Sequence, residues 1–139
     1  MYTQSTPCVH VCYFPPPPLP LPSATSLINN ARLLFTGLPL TTPHQHPDSR
    51  SALHLYPIRL HATSQRRQVF EGLRAAGIGV NVHYIPVHTQ PHYRRLGFRT
   101  GDFPAAENYY AGAISLPMFP PLTPAQQDEV IAVLKRLLG

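Results

Sequence analysis

Polar side chains that could contact a ligand are concentrated between residues 81 and 95. The segment reads Asn-Val-His-Tyr-Ile-Pro-Val-His-Thr-Gln-Pro-His-Tyr-Arg-Arg. Imidazole, phenol, hydroxyl and amide groups are suited to hydrogen bonding with a polar organic ligand. The segment therefore favours a binding surface for a small polar molecule. The alternative is that its tyrosines pack half-buried and its histidines simply cover a turn.

Metal binding is the other chemistry that this segment could suggest. His83, His88 and His92 are spaced five and four residues apart. Two intervening prolines prevent one continuous helix from aligning the three rings, and no carboxylate lies nearer than Asp102. We expect no metal site here.

Nucleophilic catalysis has little support elsewhere in the chain. Ser64 and Ser115 lack a nucleophile-elbow motif and a paired His–Asp pattern. Cys8 and Cys12, the two cysteines, both precede residue 48, and no glycine-rich phosphate loop occurs. We therefore predict no catalytic residue in this chain.

Two strands are predicted around the first helix. Ala52–Leu60 is rich in β-formers, and Pro57 within it predicts an edge strand or a bulge. Ile78–Tyr84 alternates apolar and polar residues, which predicts a strand with one polar face available for chemistry.

Three helical segments accompany these strands. Thr63 or Ser64 is expected to cap a helix that runs to about Ala76, with Gly77 as its stop. A short turn over 88–96 and a loop over 97–101 precede a second helix from Pro104 to about Ile114. After a proline-rich connector, Thr123-Pro124-Ala125-Gln126 predicts a capped terminal helix. The apolar residues that this helix is expected to bury are Val130, Ile131, Leu134, Leu137 and Leu138. These elements predict a small α+β domain.

Composition divides the chain into two parts. Of its 139 residues 18 are proline and 12% are charged, against about 5% and about 25% in an average domain. Residues 1–47 hold ten of these prolines and one charged side chain, Arg32, whereas 48–139 hold all six acids. We predict a largely disordered leader over 1–47 and a domain over 48–139. Phe14–Pro22 within the leader is expected to adopt polyproline II and could dock on an SH3 or WW groove. It could equally be a linker or the product of a misassigned start or frameshift.

Charge and hydropathy limit the cellular context. The net charge of +5 is mild and its basic residues form no stripe, so nucleic acid is not an expected partner. No apolar run approaches the roughly 18 residues of a spanning helix, so no membrane partner is expected. The N-terminus lacks the pattern of a signal peptide, which predicts a cytoplasmic protein.

Three motifs together resemble the C-terminal end of the DegT/DnrJ/StrS sugar aminotransferases. The resemblance extends from about Leu38 to the C-terminus, and residues 1–30 have no counterpart. The motifs are Gly77-Ile-Gly-Val-Asn-Val-His-Tyr-Ile-Pro-Val-His-Thr-Gln-Pro-His-Tyr-Arg-Arg-Leu-Gly-Phe, then Gly101-Asp-Phe-Pro-Ala-Ala-Glu, then Ile114-Ser-Leu-Pro-Met-Phe-Pro-Pro-Leu-Thr. Within the family, they look most like the UDP-4-amino-4,6-dideoxy-N-acetyl-altrosamine transaminases of pseudaminic acid biosynthesis.

The resemblance implies the small C-terminal domain of a type I fold that depends on pyridoxal phosphate (PLP). Such enzymes are homodimers that transfer an amino group from glutamate to a nucleotide-linked keto sugar, here a 4-keto-6-deoxy UDP-sugar. Arg94 and Arg95 are weaker candidates for contacts with the diphosphate. The residues that the resemblance assigns to substrate binding are His83, Tyr84, His88, Thr89, Gln90 and Tyr93.

Departures from the family pattern accompany this resemblance. PLP transamination requires a lysine amine, and the one lysine here, Lys135, lies beside Arg136 on the predicted terminal helix. Pro57 stands where the family usually has a β-former. We therefore expect a truncated remnant that binds no PLP and cannot transaminate alone. Two alternatives are a non-catalytic binding module that uses the proline-rich leader, and a chain that folds only on a complementary large domain.

Overall fold

A computed structural model describes residues 35–44, 46, 48, 55–119 and 121–139. The proline-rich Phe14–Pro22 and both cysteines lie outside these residues, so the predictions made for them stay predictions. The domain boundary at residue 48 also stays a prediction. The first described strand and the buried Phe35 both precede it.

The described residues form three strands, four α-helices and two 3-10 turns. The strands make one antiparallel sheet in the order β1-β2-β3. This mixture of helices and antiparallel strands confirms the predicted α+β class. The elements are β1 (Leu40–Thr41), β2 (Tyr56–Leu60), a 3-10 turn (Thr63–Gln65), α1 (Arg66–Ala75), a 3-10 turn (Val87–Thr89), α2 (Pro91–Arg95), α3 (Pro104–Gly112), β3 (Ala113–Leu116) and α4 (Pro124–Leu138).

Pro57 lies in the central strand of the sheet, so the prediction of an edge strand or bulge is wrong. Its cross-strand neighbour is Ser115, whose N–H and C=O both bond to Asn81 on the far side of β3. Pro57 and Ser115 are therefore a non-hydrogen-bonded pair, and the Pro57 nitrogen faces away from β3. On that other side β1 pairs only with Arg59 and Leu60. Among the described residues, the missing proline N–H therefore costs the sheet no hydrogen bond.

Helix α3 passes directly into β3, so the prediction of helix to about Ile114 is wrong: residues 113 and 114 belong to the strand. Helix α3 ends at Gly112, and all four residues of β3 are buried. A Cβ atom at Gly112 would lie 2.8 Å from the Leu60 carbonyl oxygen. Only glycine allows the backbone to approach β2 this closely, so the helix ends where the sheet begins.

Residues 78–84 are mostly extended but form no regular strand, which corrects the prediction for Ile78–Tyr84. Their one ladder contact is a bridge between Asn81 and Ser115. The Asn81 side-chain oxygen accepts a hydrogen bond from the backbone N–H of Val82 at 2.8 Å. This local bond occupies a donor that strand pairing could otherwise use. Ile78 is nevertheless buried, as its apolar position predicts.

Helix α1 ends as its sequence predicts but begins differently. Gly77 has a φ of +80°, and the N–H groups of Gly77 and Ile78 bond to the carbonyls of Arg74 and Leu73, both at 3.0 Å. This is a Schellman motif, so the predicted glycine stop is confirmed. The predicted side-chain cap is wrong, because Thr63 and Ser64 lie in a 3-10 turn and neither caps it or α1.

Helix α4 begins with the predicted capping box. Thr123 Oγ1 accepts from the Gln126 N–H at 3.3 Å, and Gln126 Oε1 accepts from the Thr123 N–H at 2.9 Å. The helix buries Val130, Ile131, Val133 and Leu134, and Leu137 and Leu138 pack partly buried against the same core. Burial of Val133 is an addition to the predicted set.

The core lies between the sheet and the pair of helices α1 and α4. Leu73, Ile58 and Ile114 are fully enclosed there, and the Leu137 side chain lies against Gly72. In the described part of the chain, every helix is too short or too polar to cross a membrane.

The close approach at Gly112 predicts a measurable loss of stability on substitution. Gly112→Ala should lower the free energy of unfolding by about 1–3 kcal/mol, because the new methyl group overlaps backbone atoms of β2. This loss opposes the gain of roughly 0.5–1 kcal/mol that alanine ordinarily gives in a helix. Urea unfolding followed by circular dichroism measures it.

Gly79→Ala is the matched control. A Cβ atom there has no neighbour within 4 Å, so its unfolding free energy should stay within about 0.5 kcal/mol of the wild type. Equal stability of the two variants would contradict the packing argument.

Candidate functional site

His83 and Tyr84 end the extended segment that follows α1, beside β3. His83 Nδ1 lies 2.7 Å from Ser115 Oγ, and the His83 ring is half-buried. The Tyr84 ring meets it edge to face at 4.6 Å, and the peptide bond between the two residues is cis. Tyr84 is 72% exposed. A half-buried imidazole and a largely exposed phenol thus lie side by side next to β3.

His88 is buried, unlike the other ring residues of this segment. It is 8% exposed, and its Nε2 lies 2.7 Å from Glu107 Oε1 on α3. Its ring also lies 4.8 Å from the Phe103 ring. One of the two imidazole nitrogens is therefore committed to a contact inside the protein.

Glu107 contacts the candidate site through His88, although the sequence analysis does not single it out. Its Oε1 also accepts a hydrogen bond from the Gly101 N–H at 2.7 Å. The carboxylate therefore joins three parts of the chain: the 3-10 turn, the loop before α3, and α3 itself. The signal for it is the position of Glu107 at the end of the Gly101-to-Glu107 motif.

The hydrogen bonds to Glu107 favour its charged form. The Gly101 N–H lowers the pKa of the Glu107 carboxyl most strongly, and the bond from His88 lowers it further. Loss of solvent contact acts in the opposite direction but does not prevail. The carboxylate is therefore ionised throughout the neutral range.

Thr89, Gln90 and Tyr93 follow His88 on the surface. The Thr89 hydroxyl donates to the Pro86 carbonyl at 2.7 Å, so its proton is used within the turn. Gln90 is exposed and precedes Pro91 at the start of α2, and its side chain makes no cap bond. Tyr93 is 37% exposed. Only Gln90 and Tyr93 of this group offer polar atoms that face solvent without a backbone partner in the described residues.

An apolar groove lies between α2, the following loop and α3. Its volume is about 400 Å³. Tyr93, Phe98 and Phe103 form a continuous row along it, with ring centroids 6.3 Å and 6.1 Å apart. Of the six predicted site residues, only His88 and Tyr93 line it. The lining residues are Val87, His88, Tyr93, Phe98, Phe103 and Ala106.

The polar side chains and the apolar groove can bind a ligand, but they do not supply a reactive group for catalysis. His83 and Tyr84 offer hydrogen bonds, and the groove offers an apolar surface with aromatic rings. Arg94 and Arg95 are exposed at the end of α2. Among residues 35–44, 46, 48, 55–119 and 121–139, no group of three histidine, cysteine or acidic side chains is placed to hold a metal ion.

The described residues do not fit PLP. Lys135 is the one lysine in the sequence, and it is exposed in the last turn of α4, a helix whose buried face is entirely apolar. PLP enzymes hold their cofactor through a lysine inside the active site. The described residues therefore place no lysine where it could hold the cofactor.

The profile of the DegT/DnrJ/EryC1/StrS aminotransferase family matches residues 27–135. The Bacillus subtilis spore coat polysaccharide biosynthesis protein SpsC is 36% identical over 110 residues, which are 75% of this chain and 28% of SpsC.

Solved structures agree with this match. DesV of S. venezuelae, in complex with a ketimine intermediate, is 30% identical with a TM-score of 0.74, over 81% of this chain and 30% of DesV. Helicobacter pylori PseC is 26% identical with a TM-score of 0.74, over 83% of this chain and 32% of PseC. The described fold is therefore a small mixed domain that corresponds to part of a PLP-dependent aminotransferase fold. The chain spans less than a third of the length of these relatives.

Glu107 predicts a pH-dependent contribution to stability. A carboxyl whose pKa is lowered by folding stabilises the folded chain above its usual pKa of 4.5 and loses this effect as the pH falls through the lowered value. Glu107→Gln should therefore lower the thermal midpoint by a few degrees at pH 7. The difference from the wild type should shrink below the usual pKa. Thermal unfolding from pH 7 to pH 3 measures it.

Glu129→Gln is the control, because Glu129 is an exposed glutamate on α4. Its midpoint should follow the wild type across the range. A constant difference between Glu107→Gln and the wild type at all pH values would contradict the assignment.

Proposed function

The chain belongs to the DegT/DnrJ/EryC1/StrS aminotransferase family, and from this membership we propose that it forms the substrate-facing part of a PLP-dependent nucleotide-sugar aminotransferase. The reaction is transfer of an amino group from glutamate to the keto carbon of a 4-keto-6-deoxy UDP-sugar. Similarity to Helicobacter pylori PseC, an aminotransferase involved in the biosynthesis of pseudoaminic acid, supports this substrate class. The proposed activity is that of a UDP-4-amino-4,6-dideoxy-N-acetyl-altrosamine transaminase.

The observation that carries the proposal is the pair His83 and Tyr84. The His83 side chain is anchored beside β3 through Ser115, and the Tyr84 ring packs against the His83 ring while remaining largely open to solvent. A pyranose ring carries hydroxyl and carbonyl oxygens that require hydrogen bonds in defined directions. Side chains held by a sheet provide such directions better than side chains on a free loop.

The remaining candidate residues have graded roles in this proposal. Gln90 and Tyr93 contact the ligand directly, since their polar atoms face solvent. Thr89 and His88 shape the turn that carries them, because the Thr89 hydroxyl and His88 Nε2 are bonded within the protein. Arg94 and Arg95 provide positive charge for a diphosphate.

The chemistry itself requires a lysine that this arrangement does not place. When bound, PLP stabilises the negative charge that develops on the carbon bearing the amino group. We propose that a PLP-binding large domain provides the Schiff-base lysine and that the active unit is a homodimer, as in the parent family. The contribution of the present residues is then to bind and orient the sugar nucleotide.

Tyr84 predicts a specific loss of ligand affinity. Tyr84→Phe removes one solvent-facing hydroxyl and should weaken binding of UDP-N-acetylglucosamine about fivefold, the effect of one hydrogen bond of about 1 kcal/mol. Isothermal titration calorimetry on the full chain measures it. UDP-N-acetylglucosamine is a suitable probe because it has the uridine diphosphate and a pyranose ring.

Tyr109→Phe is the matched control, because Tyr109 is a 40% exposed tyrosine on α3 that lies outside the predicted site residues. Its affinity should equal that of the wild type. Equal affinities of Tyr84→Phe and the wild type, or no binding by the wild type, would contradict the proposed site.

Lys135 predicts the behaviour of the chain towards PLP. An exposed lysine on α4 has no surrounding site to stabilise a Schiff base, so the chain mixed with PLP should show no retained absorbance near 410–430 nm (about the usual Schiff-base range) after desalting. Lys135→Arg should give the same spectrum. Retained absorbance in the wild type that disappears in Lys135→Arg would show that this chain holds the cofactor itself.

A further inference from the structure

We infer that Ser115 is a positioning residue that holds His83 as the neutral tautomer protonated at Nε2. The His83 imidazole then donates a hydrogen bond to an acceptor oxygen of the bound nucleotide sugar. This inference rests on the proposed function for its ligand, but the state of the imidazole ring is independent of any ligand.

Ser115 is fixed in place by burial and by two backbone hydrogen bonds to Asn81. It is 4% exposed, in the middle of β3. Its backbone N–H donates to the Asn81 carbonyl at 2.7 Å, and its carbonyl accepts from the Asn81 N–H at 3.1 Å. This pairing of Asn81 with Ser115 also places His83, which lies two residues after Asn81, next to β3. The backbone pairing of Ser115 with Asn81 therefore holds the Ser115 hydroxyl next to the His83 ring.

The direction of this hydrogen bond follows from the hydroxyl proton. Ser115 Oγ lies 2.7 Å from His83 Nδ1. Within the described residues, this nitrogen is the one hydrogen-bond partner of the Ser115 hydroxyl. If Nδ1 carried the proton and donated, the buried serine proton would have no acceptor. An unpaired buried donor costs about 1–3 kcal/mol. The hydroxyl therefore donates to Nδ1, and the ring proton of neutral His83 lies on Nε2.

The Nε2 atom reaches solvent. In the described part of the chain, Nε2 of His83 has no hydrogen-bond partner, and no buried side-chain nitrogen or oxygen lacks one. An unpartnered Nε2 must therefore be accessible at the surface, next to the exposed Tyr84 ring. It presents an N–H donor, which selects an acceptor such as a sugar carbonyl, a sugar hydroxyl oxygen or a phosphate oxygen.

Nitrogen-15 NMR of the full chain tests the tautomer directly. In its neutral form, the His83 ring of the wild type should show a pyridine-type Nδ1 resonance and a pyrrole-type Nε2 resonance in long-range proton–nitrogen spectra. Ser115→Ala should shift both resonances towards the average of two tautomers. Ser115→Thr keeps the hydroxyl and should preserve the wild-type pattern. The exposed His92 ring should be identical in all three spectra.

If Ser115 had only a structural role, its substitution would not move these resonances in a variant that still folds. The thermal midpoint and the remaining backbone signals show whether each variant is folded. An averaged ring, or one protonated at Nδ1, in the wild-type chain alone overturns the inference. An unchanged His83 pattern in a folded Ser115→Ala variant also overturns it.

Ligand binding separates this inference from the proposed function. Ser115→Ala should weaken binding of UDP-N-acetylglucosamine about fivefold to tenfold, as expected for one misdirected hydrogen bond, and Ser115→Thr should bind like the wild type. If Ser115→Ala averages the two His83 tautomers but leaves the affinity unchanged, the donor role assigned to His83 Nε2 is overturned. No binding by the wild type would contradict the proposed function. Averaging of the His83 tautomers in Ser115→Ala would in that case still support the role of Ser115 in holding the ring.

Discussion

The burial of β3 on both of its edges is the constraint on which the rest of the described structure depends. One edge pairs with β2, and the other is closed by Asn81. Gly112 makes the first of these contacts possible, because it brings the chain against β2 without a side chain between them. Both halves of the candidate site attach to this short strand: His83 through Ser115, and Glu107 through α3, which runs directly into β3.

Features that depend on a few neighbouring residues could be predicted from the sequence. The Schellman motif at Gly77 and the capping box from Thr123 to Gln126 involve hydrogen bonds within one helical turn, so their residue types nearly determine them. Strand β3 could not be predicted in this way. Its four residues are buried on both faces, so they show no alternation, and a helix precedes them without a turn. The prediction for Pro57 failed for a related reason. A strand tolerates proline where the proline nitrogen faces a side without a partner strand, and at Pro57 that side has no partner among the described residues because β1 is short.

The candidate site shows the same limit. Resemblance to a family could identify a segment rich in polar side chains, but not which of their atoms remain available to a ligand. His88 Nε2 and the Thr89 hydroxyl are bonded inside the protein, whereas Tyr84 faces solvent. The partner that distinguishes His88 lies 19 residues away on α3. Contacts over such a distance follow from the packing of α3 against the turn, and no local spacing rule contains them.

The bond between His88 and Glu107 also closes the chain segment from 88 to 107 into a loop that is fastened at its base. Closing a loop of this size costs conformational entropy that grows only slowly with its length, as about (3/2)RT ln n. The segment makes much of its contact with itself, through the row of aromatic rings and the Gly101 N–H bond to Glu107. We therefore expect it to open as a cooperative unit of its own, without melting the core between the sheet, α1 and α4.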